Sequence, residues 1–143
     1  MRTPGLVTGR AFRLCHPGRM PPRRRIPVAA GREAVRQWTV LSDVGNVEPG
    51  MTAMAVRFSL EELAAVAPGR SLEVRVPPFG AVQAVEGSVH RRGTPPAVVE
   101  MAPEVWLGLV TGRLRWDDAV AAGDVDASGE RSDLSALLPL SLG

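Results

Sequence analysis

Few residues in this sequence have the types and spacing that catalysis requires. Cys15 and His16 are adjacent and could supply a nucleophile and its base. Both lie in an arginine-rich segment that offers no scaffold to hold them in register, so we do not expect catalysis there. A serine, His90 and an aspartate could meet in space, but the sequence has no nucleophile elbow. We therefore expect a protein that is not an enzyme.

Two pairs of neighbouring acids are the next candidates for chemistry. Glu61 and Glu62 form one pair, and Asp117 and Asp118 form the other. Neighbours on a helix point roughly 100° apart, so neither pair can converge on one substrate in the way paired catalytic carboxylates do. We expect solvated helix faces, with Asp117 and Asp118 stabilising the N-terminus of their helix through its dipole.

A third group of polar residues could bind an anion. His90, Arg91 and Arg92 follow one another in a segment rich in glycine and proline. Because arginine presents a planar fork that matches a carboxylate or phosphate, these residues are the candidates for contacting a ligand head group. The alternative is a solvated loop.

The composition excludes several reaction classes. All 17 basic residues are arginine and tyrosine is absent, which rules out a Schiff-base lysine, a phosphate-loop lysine and a tyrosine acid. With two histidines and one cysteine, we expect neither a metal nor a cofactor. A single cysteine cannot form an internal disulfide, and no apolar run approaches the roughly 18 residues of a membrane span. These features favour the cytoplasm.

Charge is distributed unevenly along the chain. From Arg2 to Arg36 there are nine arginines and one acid, a net charge of +8, whereas the remainder has eight arginines and fourteen acids, a net charge of −6. Blocks of like charge with little apolar material tend to be disordered and to touch polyanions. We predict that residues 1–25 are a disordered basic arm with weak polyanion contact, and that residues 26–143 form one domain.

Hydrophobic periodicity predicts the elements of that domain. Apolar residues at helical spacing indicate helices, and alternation with period two indicates strands. The predicted order is helices at 28–41 and about 51–67, strands at 72–76, 81–85 and 97–101, helices at 103–111 and 116–122, a strand at 125–127 and a last helical turn at 134–138. Such segregation favours an α+β domain with an antiparallel sheet of four to five strands and helices mainly on one face.

Three blocks of the sequence carry a family resemblance. They are APGRSLEVRVPPFGAVQAVEG at 67–87, RGTPPAVVE at 92–100 and TGRLRWDDAVAAGDVDASGERSDLSALLPL at 111–140. Together they resemble the sterol carrier protein family, and in particular its actinobacterial branch. The resemblance implies a five-stranded α+β fold that encloses an apolar tunnel and holds a lipid or acyl chain without catalysis.

We expect the ligand to lie between the sheet and the helices. The residues expected to line this apolar pocket are Val76, Phe79, Val99, Met101, Trp106, Leu109, Val110, Leu134, Leu137 and Leu138. The same side chains could instead fill an ordinary core, since amphipathicity does not separate a core from a tunnel wall. A second alternative is an accessory or interaction domain, similar to the tail modules of thiol-dependent isomerase-type enzymes but without their histidine metal site. Oligomeric state is left open.

Overall fold

A computed structural model describes residues 23–87, 97–129 and 132–142 of the chain. The first part is helical, as the periodicity predicts. Helix α1 is Val28–Leu41, a short 3₁₀ turn follows at Ser42–Val44, and helix α2 is Pro49–Val66. Helix α2 begins with proline at its first turn, where the missing N–H would have no intrahelical partner.

The remaining elements build a sheet and two short helices. The strands are β1 (Leu72–Val76), β2 (Gly80–Ala84), β3 (Ala97–Met101) and β4 (Val125–Ser128), and the helices between β3 and β4 are α3 (Pro103–Val110) and α4 (Trp116–Ala121). The four strands are ordered β2-β1-β3-β4. The predicted α+β class is confirmed.

One part of the predicted sheet is wrong. The hairpin of β1 and β2 is antiparallel, with Leu72 opposite Ala84, and β3 and β4 are also antiparallel. The central pair, β1 and β3, is parallel, so the sheet is mixed. After the edge strand β2 the chain passes to the other side of β1, and twelve residues between Ala84 and Ala97 make that crossing feasible.

The predicted last helical turn is also wrong in detail. Residues 132–142 contain no helix, and the backbone N–H of Leu137 bonds to the carbonyl of Leu134 in a single turn, at 2.9 Å. Pro139 follows two residues later and cannot supply the N–H that a continuing helix needs. Leu134 is fully buried. The apolar spacing of residues 134–138 therefore reflects the packing of a single turn and not of a helix.

The sheet has one buried face and one polar face. Leu72, Val74 and Val76 alternate with Glu73 and Arg75 along β1, and the first three are buried. Glu73 and Arg75 form an ion pair on the opposite face, with 2.8 Å between Oε1 of Glu73 and Nη2 of Arg75. This alternation places the core between the sheet and the helices, as the sequence pattern predicts.

A buried hydrogen bond joins α2 to α3 inside this core. The indole N–H of Trp106 donates to the hydroxyl of Ser59 at 2.8 Å, and that hydroxyl donates in turn to the carbonyl of Ala55 at 2.7 Å. Both Trp106 and Ser59 are fully buried. A buried polar group is costly unless it is paired, and here each of the two has a partner.

Close packing of α1 on α2 depends on a residue without a side chain. Gly31 of α1 lies against the ring of Phe58, and a Cβ at position 31 would meet that ring at 2.1 Å. Phe58 is fully buried and has no free space to retreat into. A glycine in a helix interior is unfavourable in itself, so the close contact explains why one stands there.

We predict that the Ser59–Trp106 pair is energetically coupled. Ser59→Ala leaves the indole N–H without a partner, at a cost of about 1–3 kcal/mol in unfolding free energy. Trp106→Phe removes the donor, so the double variant should lose less stability than the two single losses added together. Urea unfolding of the four proteins measures this, and strictly additive losses would contradict it.

We also predict opposite effects for two glycine substitutions in helices. Gly31→Ala drives a methyl group into Phe58 and should cost about 1–3 kcal/mol. Gly50→Ala is the matched control, because a Cβ there meets nothing within 4 Å, and it should be neutral or stabilising by up to about 1 kcal/mol. Thermal unfolding measures the stability of both variants. Equal melting temperatures would show that α1 and α2 can move apart at no cost in unfolding free energy.

Candidate functional site

The ten residues expected to line an apolar pocket lie together on the buried side of the sheet. Seven of them are buried in one hydrophobic cluster: Val76, Val99, Met101, Trp106, Leu109, Val110 and Leu134. The other three, Phe79, Leu137 and Leu138, are half-buried and pack against that cluster. Two clefts border this cluster, and each is lined by at least one of the ten.

The first cleft lies between the end of α3 and the C-terminal segment. This C-terminal cleft has a volume of about 300 Å³. It is lined by Leu109, Gly112, Leu114, Arg115, Trp116, Asp117, Ser135, Leu138 and Pro139. Most of the side chains that line it are apolar. The polar ones are Arg115, Asp117 and Ser135.

Two features of the backbone shape the C-terminal cleft. Gly112 ends α3 with φ of 82°, a left-handed conformation that turns the chain towards Leu114. The backbone N–H of Leu140 donates to the carbonyl of Val110 at 3.1 Å and holds the C-terminal segment against α3. The C-terminal cleft is therefore the space between the end of α3 and the C-terminal segment, which this backbone hydrogen bond holds against that helix.

The second cleft lies between the N-terminal segment, α2 and the start of β2. This arginine cleft has a volume of about 370 Å³. It is lined by Arg23, Arg25, Ile26, Arg57, Leu60, Glu61, Phe79, Gly80, Ala81 and Val82. Its lining combines apolar residues with three arginines.

Glutamates of α2 hold one wall of the arginine cleft. The carboxylate of Glu61 accepts the backbone N–H of Arg25 at 3.0 Å and that of Ile26 at 3.2 Å. Glu62 forms an ion pair with Arg24. The expectation that Glu61 and Glu62 are a solvated face is therefore wrong: both are half-buried and bind the segment that precedes α1.

A third contact orients Arg57 in the same cleft. Its Nε–H donates to the carbonyl of Phe79 at 3.0 Å, which places the guanidinium beside the turn between β1 and β2. Arg57 is the one charged residue in the stretch from Met51 to Leu60. An isolated charge within an apolar helical stretch was the signal that could have marked it as a site residue.

Comparison with known families decides the identity of the fold. The model of a family described as bacterial SCP ortholog matches residues 49–140, which run from the start of α2 to the C-terminal segment. Comparison with curated proteins gives no match. The chain belongs to the sterol carrier protein-like family.

The sterol carrier protein-like family is associated in general with lipid binding or transfer, and its members are generally non-catalytic carriers. The match includes the whole C-terminal cleft and the α2 and β2 walls of the arginine cleft. It excludes α1 and residues 23–26, so the N-terminal wall of the arginine cleft lies outside the matched region.

Several candidates from the sequence lie outside the described residues. They are Cys15 and His16, the head-group candidates His90, Arg91 and Arg92, and residues 1–22 of the basic arm. Asp117 and Asp118 are exposed in the first turn of α4, where the helix dipole favours acids. Within residues 23–87, 97–129 and 132–142, no cluster of His, Cys, Asp and Glu could hold a metal ion. No helix in that part of the chain is long and apolar enough to cross a membrane.

We predict that Glu61 controls access to residues 23–26. Glu61→Ala removes the acceptor of two backbone N–H groups, so the segment should detach from α2 and trypsin should cut after Arg24 and Arg25 several-fold faster. Glu33→Ala is the control, because Glu33 contacts only Arg36 and Gln37 of its own helix among the described residues. Equal cleavage rates in parent, control and variant would show that Glu61 does not hold the segment.

Proposed function

We propose that this protein binds a hydrophobic small molecule, such as a fatty-acyl chain or another lipid, in the C-terminal cleft and that it does not catalyse a reaction. The observation that carries the proposal is that Leu109 and Leu138 both line this cleft, in a chain whose family is associated with lipids. Both were expected from the sequence to line an apolar pocket. Leu114 and Trp116 add further apolar surface.

The size of the cleft agrees with part of a lipid chain. Small-molecule sites span roughly 300–1,000 Å³, and the cleft has about 300 Å³. Movement of residues 135–139 away from α3 would lengthen it towards Leu134 and the core. That segment has no regular helix or strand, so its displacement would break few backbone hydrogen bonds. We propose that a ligand longer than the cleft enters beneath this segment.

The proposed binding mode assigns separate roles to the lining residues. Apolar side chains remove the acyl chain from water, and each buried methylene contributes about 0.8 kcal/mol to binding. Arg115 lines the same cleft from an exposed position and could meet a polar head at the water-facing edge. No side chain in this scheme donates or accepts a proton in a reaction.

We predict that Leu138→Trp blocks binding of a fluorescent fatty acid while sparing the melting temperature. Leu138 is half-buried and lines the cleft, so a larger side chain should fill the ligand's space without overpacking the core. Val120→Trp is the matched control, because Val120 is 43% exposed on α4 and does not line the cleft. Fluorescence titration and thermal unfolding measure the two effects.

The result that would contradict the proposal has two parts. The parent protein would show no lipid by titration or by native mass spectrometry of copurified molecules. In addition, Leu138→Trp would lower the melting temperature, as expected where a packed core is overfilled by about 1–3 kcal/mol. Together these results would favour a packed interaction domain over a carrier.

A further inference from the structure

The arginine cleft has a charge that the described part of the chain does not neutralise. Three arginines, Arg23, Arg25 and Arg57, line the cleft together with a single carboxylate residue, Glu61. Both oxygens of that carboxylate already accept backbone N–H groups. Among residues 23–87, 97–129 and 132–142, no ion pair involves any of the three arginines. The cleft therefore has two net positive charges.

Arg57 is held in a position suited to binding an anion. Its Nε–H donates a hydrogen bond to the carbonyl of Phe79, and this bond orients the guanidinium plane. The two terminal amino groups remain to donate, and they form one edge of the planar fork that recognises a carboxylate. Arg25 adds a second cation from the N-terminal segment, and Glu61 binds the backbone N–H of that residue.

The base of the cleft is apolar. Leu60 is buried, and Ile26, Phe79 and Val82 are half-buried. At the roughly 30 Å³ that a water molecule occupies in the liquid, the volume of about 370 Å³ holds on the order of a dozen non-hydrogen atoms. This capacity fits a single chain of about ten carbons with a small head group.

From this combination of charge, orientation and size, we propose that the arginine cleft binds a medium-chain carboxylate, with its head group on Arg57 and Arg25 and its chain along Leu60, Phe79 and Val82. The site shares no lining residue with the C-terminal cleft. One of its walls, residues 23–26, lies outside the region that the family model matches. The proposal thus goes beyond the function proposed above and does not depend on it.

The test is a titration of the full-length ¹⁵N-labelled protein with decanoate, followed by NMR. Amide shifts should concentrate at Ile26 and at residues 80–82. Decanol, which lacks the charge, and acetate or phosphate, which lack the chain, should each bind at least about tenfold more weakly, because charge-assisted hydrogen bonds and apolar burial must act together.

Substitutions locate the binding groups. Arg57→Gln and Arg25→Gln should each weaken decanoate binding about tenfold or more, since each removes a charged donor. Arg32→Gln is the matched control: Arg32 is exposed on α1 outside the cleft and should leave binding unchanged. Thermal unfolding checks that the variants remain folded.

A second pair of variants tests the apolar base without altering charge. Gly80→Phe should obstruct the cleft and abolish the shifts, because a Cβ at position 80 points towards Leu60 and Arg57, at 3.4 and 4.0 Å. Gln83→Phe is the control, because position 83 lies on the opposite face of β2 and outside the cleft, and it should leave the shifts in place. Equal binding by the parent, Arg57→Gln and Gly80→Phe would overturn the proposal. Shifts confined to residues 114–116 would also overturn it, because decanoate would then occupy the C-terminal cleft and support the function proposed above instead.

Discussion

The structure depends on the contacts made by about one turn and a half of α2, from Arg57 to Glu62. Phe58 packs on Gly31 of α1, and Ser59 accepts the indole N–H of Trp106 in α3. Arg57 binds the carbonyl of Phe79 and Glu61 binds the N-terminal segment. Since consecutive residues of a helix point in different directions, this short stretch contacts four separate parts of the chain. A shift of α2 would therefore disturb the core and the arginine cleft together.

The sequence predicted most helices and strands well, because each of them depends mainly on the residues of its own segment. Alternation along Leu72–Val76 and a short link to the next strand were sufficient to predict the β1–β2 hairpin, and glycines at 112 and 123 marked the ends of α3 and α4. The parallel pairing of β1 with β3 was not predictable in this way. It depends on which side of β1 the chain reaches after a twelve-residue connection, and the periodicity within either strand does not report that choice.

The candidate site was only partly predictable, for a different physical reason. A leucine in a core and a leucine in a cleft wall have the same spacing. The sequence therefore predicted Leu109 and Leu138 as lining residues together with Val99 and Trp106, although the latter two line neither cleft. Trp116 was missed as a lining residue because its cleft exists only where the C-terminal segment returns to α3. Contacts between segments distant in sequence create the clefts, and periodicity does not report such contacts.

The net charge of a sequence segment differs from the local charge that the fold creates at the arginine cleft. Residues 37–143 have a net charge of −6, yet the cleft at the start of β2 is basic, because Glu61 and Glu62 bind the segment that brings Arg23 and Arg25 there. In the sheet that the described residues form, β2 is an edge strand, and an edge strand can pair with another chain. Positive charge beside an edge strand disfavours such pairing. The arginines that we propose to bind an anion would therefore also disfavour pairing at this edge, so a substitution that removes them affects two physical properties at once.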